Sequence, residues 1–279
     1  MHAARHTSRG VYTMFWTLTD IMKLSLITVT YNSSATLPDT IHSILNQTYS
    51  DIEYIIVDGA SKDDTVSIIK EYEPKFEGRM KWISERDKGL YDAMNKGIRM
   101  ATGDVIGILN SDDLFMDNRV LTDVANAFNK NTDAIFGNLY FVDQEDVNQI
   151  VRIWKGSTYK SFKSGWHPAH PTFYVRREVY EKYGVFDTTF DVSADFELML
   201  RLIEKHQIRT KYLDRYMVRM RMGGESTGSI KNIIRGNKNI FRAFKKNNIK
   251  VSPLYPVYRL LPKIINRIAY ILGFRKPTT

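Results

Sequence analysis

The sequence predicts an α/β protein, a doubly wound and mostly parallel sheet flanked by helices, followed by a C-terminal helical tail. Three observations predict it. Between residues 24 and 109, short β-branched runs alternate with amphipathic helical runs, an order that favours parallel strands joined by crossover helices. Two apolar runs end in acid, Ile55-Ile56-Val57-Asp58-Gly59 and Ile108-Leu109-Asn110-Ser111-Asp112-Asp113, and the carboxyl ends of parallel strands line a ligand crevice. The positive charge is gathered at one end: Ser226 to Thr279 carries 12 Lys or Arg and no Asp or Glu, in a chain of net charge +9.

The elements follow in order. Residues 1–21 read as a disordered leader, since the patch 11–16 is too short for a signal-peptide core and no small-residue cleavage site follows. Residues 24–30 form the first strand. Thr36 caps a helix with Pro38 in its first turn and Ile41, Ile44 and Leu45 on its buried face. Residues 54–57 are a second strand, and 61–64 open a helix carrying Val66, Ile68 and Ile69. Residues 80–83 make a third strand, 90–100 a helix stopped near Gly103, and 105–109 a fourth strand. Further on, 120–128 is helical, 134–142 and 150–154 are strands, and 157–171 is a loop. Helices are expected at 178–183, closed by Gly184, at 194–206 and at 230–244.

Composition narrows the function. The absence of cysteine excludes a disulfide framework and Cys-ligated zinc. No run of 18 apolar residues predicts a membrane span. From Val257 to Leu272, Arg259, Lys263 and Arg267 fall on one side of a helical wheel and an aliphatic arc on the other, a basic amphipathic helix suited to an anionic membrane surface. Packing of that arc on the rest of the chain, or on a homodimer mate, is the alternative. Nucleic acid fits less well, because the basic residues lie beside aliphatic rather than base-stacking side chains. No Gly-x-x-x-x-Gly-Lys loop is present, which argues against a P-loop phosphotransferase.

Strand-end carboxylates suit Mg²⁺ or Mn²⁺, and these ions suit phosphates. Asp112 is the first candidate ligand, with Asp113 beside it as a second ligand or a capping acid. Asp195 begins a predicted helix, where the positive end of the dipole favours its ionised form. Its plain alternative is an ordinary first-turn acid. Asp92 and Asn95 are three apart and share one helix face, which is either functional or merely solvated. His170 and Trp166 sit in the loop, where a lone His is more often structural and a Trp is as often core as a stacking platform.

An ordered set of motifs resembles family 2 glycosyltransferases: Val29-Thr30-Tyr31-Asn32, Val57-Asp58-Gly59-Ala60-Ser61, Asp87-Lys88-Gly89-Leu90-Tyr91-Asp92-Ala93-Met94-Asn95, Asn110-Ser111-Asp112-Asp113 and Ser193-Ala194-Asp195-Phe196-Glu197. The resemblance covers about residues 22–225. It implies a GT-A fold, inversion at the anomeric carbon and a divalent metal, Mn²⁺ or Mg²⁺, with a nucleoside-diphosphate sugar (UDP, GDP or dTDP) as donor. It also implies a glycan or lipid-linked acceptor, as in surface polysaccharide synthesis. Residues 22–115 become the nucleotide-binding half and 116–225 the acceptor-side half, with 226–279 as the tail. By resemblance, Val29 and Tyr31 line the base pocket, Asp58 stands on the nucleotide where the first of two consecutive family acids sits, Asp87, Asp92 and Asn95 border ribose and donor sugar, and Asn110 and Ser111 lie on the donor. Asp112 holds metal, Asp195 is the general base and His170 touches acceptor or diphosphate; Glu197, two residues past Asp195 on a helix, points elsewhere and is read as an accessory contact. The sequence departs from the family pattern at Asn110, Gly59 and Ala194, each standing where an acid is usual. A cytoplasmic enzyme on the inner face of the cell membrane is the expected setting, with a non-catalytic sugar-nucleotide binder as the alternative.

Overall fold

The computed structural model describes residues 22–223, 230–257 and 259. Its centre is β1 (Leu24–Thr30), buried along its whole length. Strands β2 (Ile52–Asp58) and β4 (Val105–Ile108) flank it in parallel, and β3 (Met80–Ser84) continues the parallel array beyond β2. Because side chains alternate along a strand, β1 feeds two apolar layers. Ile27 and Val29 join Ile55 and Val57 beneath α3 (Leu90–Met100), while Leu24 and Leu26 join Tyr54 and Ile56 beneath α1 (Leu37–Leu45) and α2 (Thr65–Tyr72). The approach of α3 is close: a Cβ on Gly97 would lie 2.4 Å from Ile27 Cγ2.

The second half is more irregular. A short β5 (Leu114–Phe115) and α4 (Val120–Ala127) precede β6 (Ala134–Val142) and β7 (Ile150–Trp154). Then come β8 (Tyr174–Arg176), α5 (Arg177–Tyr183), α6 (Ala194–Met199), β9 (Thr210–Arg221) and α7 (Ile230–Lys246). Sheet order is β3-β2-β1-β4-β8-β6-β9-β5, with β7 on β6. The parallel order predicted for the first four strands holds; β8 then runs antiparallel to both β4 and β6, and the sheet becomes mixed. Gly107 admits this turn, since a Cβ there would meet the Tyr174 ring at 2.3 Å.

Several expectations change locally. Thr36 occupies the N-cap of α1, but its side chain makes no capping bond. The helix expected over 194–206 is α-helical only to Met199 and π-helical over Leu200–Lys205. Strands β5, β8 and β9 were not anticipated. Glu197 is buried rather than a cleft contact: it holds Arg201 and accepts from Asn247 Nδ2 at 3.0 Å, tying α6 to the end of α7. The predicted loop 157–171 is fastened at its start by Gly156 N–H to Asn138 Oδ1 at 2.8 Å, a few residues on by Ser161 and Phe162 to the Glu204 carboxylate, and just past its end by Thr172 Oγ1 to Gly137. No helix among the described residues is long and apolar enough to cross a membrane. The leader 1–21, the segment 224–229 and the tail beyond Val257, apart from Arg259, lie outside the described residues.

Candidate active site

The strand order reverses beside β1, with β2 and β3 on one side and β4 on the other, and crevices open at such switch points. Two side-chain links join the strand ends there. Thr28 Oγ1 donates to the Leu109 carbonyl at 2.8 Å, and the hydroxyls of Ser33 and Ser111 meet at 2.9 Å. Val29 is buried in the core, whereas the Tyr31 ring is 58% exposed at the rim. Asp58 is wholly buried and accepts from Ser61 N–H at 3.0 Å, from the Ser61 hydroxyl and from Ser84 Oγ at 2.6 Å, so it ties together the loops that leave β2 and β3. Asn95 grips the backbone of Phe186 with both amide atoms, at 2.8 and 2.9 Å. Asp92 accepts from Lys88 N–H at 3.0 Å and Asp87 from Gly89 N–H at 2.8 Å, two bonds that shape the entry to α3.

The acidic turn after β4 has a guanidinium behind it. Arg221, at the end of β9 and only 6% exposed, donates to the Asp112 carbonyl at 2.8 Å, to the Gln144 carbonyl at 3.2 Å and to the Asp39 carboxylate at 2.5 Å. Its backbone N–H reaches Asp113 Oδ1 at 3.3 Å. Asp113 is 1% exposed; burial and the neighbouring Asp112 push its carboxyl well above the usual range, and its other oxygen lies 3.4 Å from Asn110 Nδ2. Asp112 is half-buried, and burial raises its carboxyl too, against the opposing charges of Arg221 and His170. The two adjacent acids therefore divide their work: Asp113 holds the turn, and Asp112 is the more accessible carboxylate. Asn110 Oδ1 is buried with no partner among the described residues.

Across the crevice stands Asp195, in the first turn of α6 after Ser193, whose backbone is left-handed at φ +66°. His170 Nδ1 lies 3.3 Å from Asp195 Oδ2, and the Tyr91 hydroxyl donates to Oδ1 at 3.3 Å. Burial, and then the charge of Asp195, push the Tyr91 phenol up, so it remains a donor. His170 opens a short 3₁₀ turn (His170–Thr172), which Thr172 Oγ1 fixes by bonding both the N–H and the carbonyl of Gly137. Trp166 packs edge-on against Phe136, Phe162 and Tyr159, an aromatic wall beside this group.

The structure thus brings Asp112, His170 and Asp195 to one crevice, with Tyr31, Ser111 and Asp87 around it. It places Val29, Asp58, Asn95 and Asp113 inside the fold. Sequence reasoning missed Arg221 and Tyr91. Tyr91 lies within the motif of residues 87–95, while nothing local marks Arg221.

No group of three or more His, Asp or Glu side chains among the described residues has metal-holding geometry. Mg²⁺ commonly takes only one or two carboxylates and completes its shell with phosphate and water. A single accessible Asp112 beside the orphaned Asn110 oxygen fits such a shared site.

The family model described as glycosyl transferase family 2 matches residues 25–194. A "PGL/p-HBAD biosynthesis glycosyltransferase" of Mycobacterium bovis is 25% identical over 252 residues, covering 87% of this chain and 92% of the relative. Among solved structures, the mannosyltransferase PcManGT from Pyrobaculum calidifontis, in complex with GDP-Man and Mn²⁺, aligns with a TM-score of 0.62 and 21% identity over 87% of this chain and 70% of its own. S. aureus TarS 1-349 with UDP-GlcNAc aligns at 0.61 and 18% identity, over 89% of this chain and 73% of its own. The chain spans 44% of the longer TarS chain in another crystal structure. These structural likenesses show a shared GT-A fold.

Proposed function

Because the chain belongs to glycosyl transferase family 2, we propose that it is an inverting, metal-dependent enzyme that moves a sugar from a nucleoside diphosphate to a glycan or lipid-linked acceptor. The observation that carries the reading is the pairing of Asp195 with His170 and Tyr91 in the same crevice as Asp112. In this reading Asp195 takes the proton of the acceptor hydroxyl as the new bond to the anomeric carbon forms and the bond to the diphosphate breaks. Tyr91 and His170 hold both carboxylate oxygens, which fixes the direction from which the hydroxyl is deprotonated. Asp112 would hold Mg²⁺ or Mn²⁺ jointly with the donor diphosphate, on a turn that Arg221 braces. When bound, such an ion neutralises the charge of the leaving group. The nucleotide sugars in the PcManGT and TarS complexes support this class of donor.

A screen of UDP, GDP and dTDP sugars for nucleotide release, with Mn²⁺ and with EDTA, tests the reading. One donor should be turned over in Mn²⁺ and not in EDTA. Release from no donor, or full activity in EDTA, would overturn it.

We infer further that the tail holds the protein on the inner face of the membrane. Arg235, Arg242, Lys246 and Arg259 are taken up within the protein by Asp191, Thr189, Asp187 and Asn237, but Lys263, Arg267, Arg275 and Lys276, with no acid among them, support attachment to an anionic bilayer, each Lys or Arg near the surface adding about 1 kcal/mol. In flotation with anionic vesicles, the full chain should bind at low salt and a chain ending at Pro256 should not. Equal behaviour of the two would remove the membrane role.

A further inference from the structure

Gly59 directly follows Asp58 at the end of β2, and the space its missing side chain leaves is already taken. A Cβ built on Gly59 would lie 2.7 Å from Asp87 Oδ2 and 3.4 Å from Cδ2 of the Tyr31 ring. Three adjacent strand ends therefore meet at one point: an exposed aromatic face from β1, bare backbone from β2 and a carboxylate from the loop after β3. Asp87 is half-buried between exposed neighbours on both sides, Arg86 and Lys88. Its Oδ1 is held by Gly89 N–H at 2.8 Å, whereas Oδ2, the oxygen nearest Gly59, takes no hydrogen bond from the described residues. One oxygen is anchored and the other is presented.

We propose that Asp87 reads the edge of the nucleobase, filling from the β3 loop the place that a side chain at residue 59 would otherwise occupy. The inference rests on the reading of this crevice as a nucleotide-sugar site. An ionised carboxylate only accepts hydrogen bonds. It therefore selects a base whose ring nitrogen carries hydrogen, N3–H of uracil or thymine or N1–H of guanine, and it opposes the lone pair that cytosine N3 or adenine N1 puts there. The Tyr31 ring, exposed beside the same oxygen, supplies a stacking face that any base can use. Discrimination thus falls to Asp87, and the absence of a side chain at residue 59 is what lets its carboxylate stand there.

Calorimetric titration of UDP, dTDP, GDP, CDP and ADP into the full chain tests this, using the wild type, Asp87→Asn and Gly59→Ala. Asn keeps an oxygen for Gly89 N–H, so the loop is retained. The backbone at Gly59 is not left-handed, so Ala is tolerated there, yet its methyl displaces Asp87 Oδ2 while leaving the acid in place. The wild type should prefer a base with ring N–H over CDP and ADP by on the order of tenfold to a hundredfold, the range of one charge-assisted hydrogen bond. Both variants should lose most of that preference while keeping their affinity for inorganic pyrophosphate. A wild type that binds UDP, dTDP or GDP selectively, with variants equally selective, would overturn the role of Asp87 and leave the nucleotide site standing. A wild type that binds none of the five would overturn both.

Discussion

Asp112 and Asp195 differ in what they are expected to control, and single substitutions separate them. Asp195→Asn preserves shape and the two donors that face the carboxylate but removes the basic oxygen. Nucleotide affinity should persist and transfer should fall by roughly 10²-fold or more, measured as sugar transfer under saturating donor. A parallel loss of nucleotide affinity would make Asp195 a structural acid. Asp112→Ala should abolish the increase in nucleotide affinity that Mn²⁺ confers, read by calorimetry with and without the ion, while the thermal midpoint stays near that of the wild type. An undiminished Mn²⁺ effect would remove Asp112 from the metal site. These residues were legible because each belongs to a short motif at a strand or helix end. Arg221 and Tyr91 were not, because their contacts bridge 109 and 104 residues of chain, and one-dimensional spacing carries no trace of such pairs. Gln144, Asp39 and Asp112 belong to three different segments, and only folding gathers them around one guanidinium.

Among the elements, α3 was read to the residue from its apolar period, and β1 from its β-branched run. β5 and β8, two and three residues long, are too short to show a period. β9 hides for another reason: the run Thr210–Arg221 interleaves four cationic side chains with its apolar ones, and only Met217, Val218 and Arg221 are buried. The π-helical stretch after α6 keeps an apolar helical pattern, so nothing in the composition announces the wider turn. The contact between α3 and β1 yields a prediction of its own. In an isolated helix Gly97→Ala would gain up to about 1 kcal/mol of propensity. Here the added methyl meets Ile27 Cγ2, and Gly97→Val adds two more carbons to the clash. Ala should offer no net stabilisation, and Val should cost about 1–3 kcal/mol in urea unfolding. A Val variant as stable as the wild type would show that α3 can lift off the sheet freely.

Across the whole molecule, one buried acid joins the parallel strands. Glu53 on β2 accepts from Ser25 Oγ of β1 at 2.7 Å, from Lys81 Nζ of β3 at 2.6 Å, and from Thr102 N–H and Oγ1 ahead of β4 at 2.8 and 2.9 Å. Burial alone would raise its carboxyl, but Lys81 and then the Thr102 and Ser25 bonds outweigh it and hold the group at about 2, against an ordinary 4.5. Because the folded value is the lower one, the resulting stability is present in full above pH 4.5 and is lost as pH falls towards 2. The linked free energy is about 3 kcal/mol. Urea midpoints should therefore decline steeply across that window, and Glu53→Gln should be less stable at neutral pH with a flatter decline. An identical acid profile in the two proteins would refute the assignment.

The loop that carries Trp166 and His170 has a further consequence for how such a chain can lengthen. Gly156 is pinned to Asn138, Ser161 and Phe162 are pinned to Glu204, and the His170 turn is pinned separately to Gly137. Between the first two anchors, Thr158, Tyr159 and Lys160 lie exposed. Tyr159 is itself tied down, its ring against Trp166 and its hydroxyl on Glu204 at 3.0 Å, so an insertion ahead of it, at Thr158, would pull on neither Trp166 nor His170, and each doubling of its length would cost only about 0.6 kcal/mol of closure entropy. New surface beside the crevice can thus accumulate there, residue by residue, without disturbing Asp195, which His170 faces.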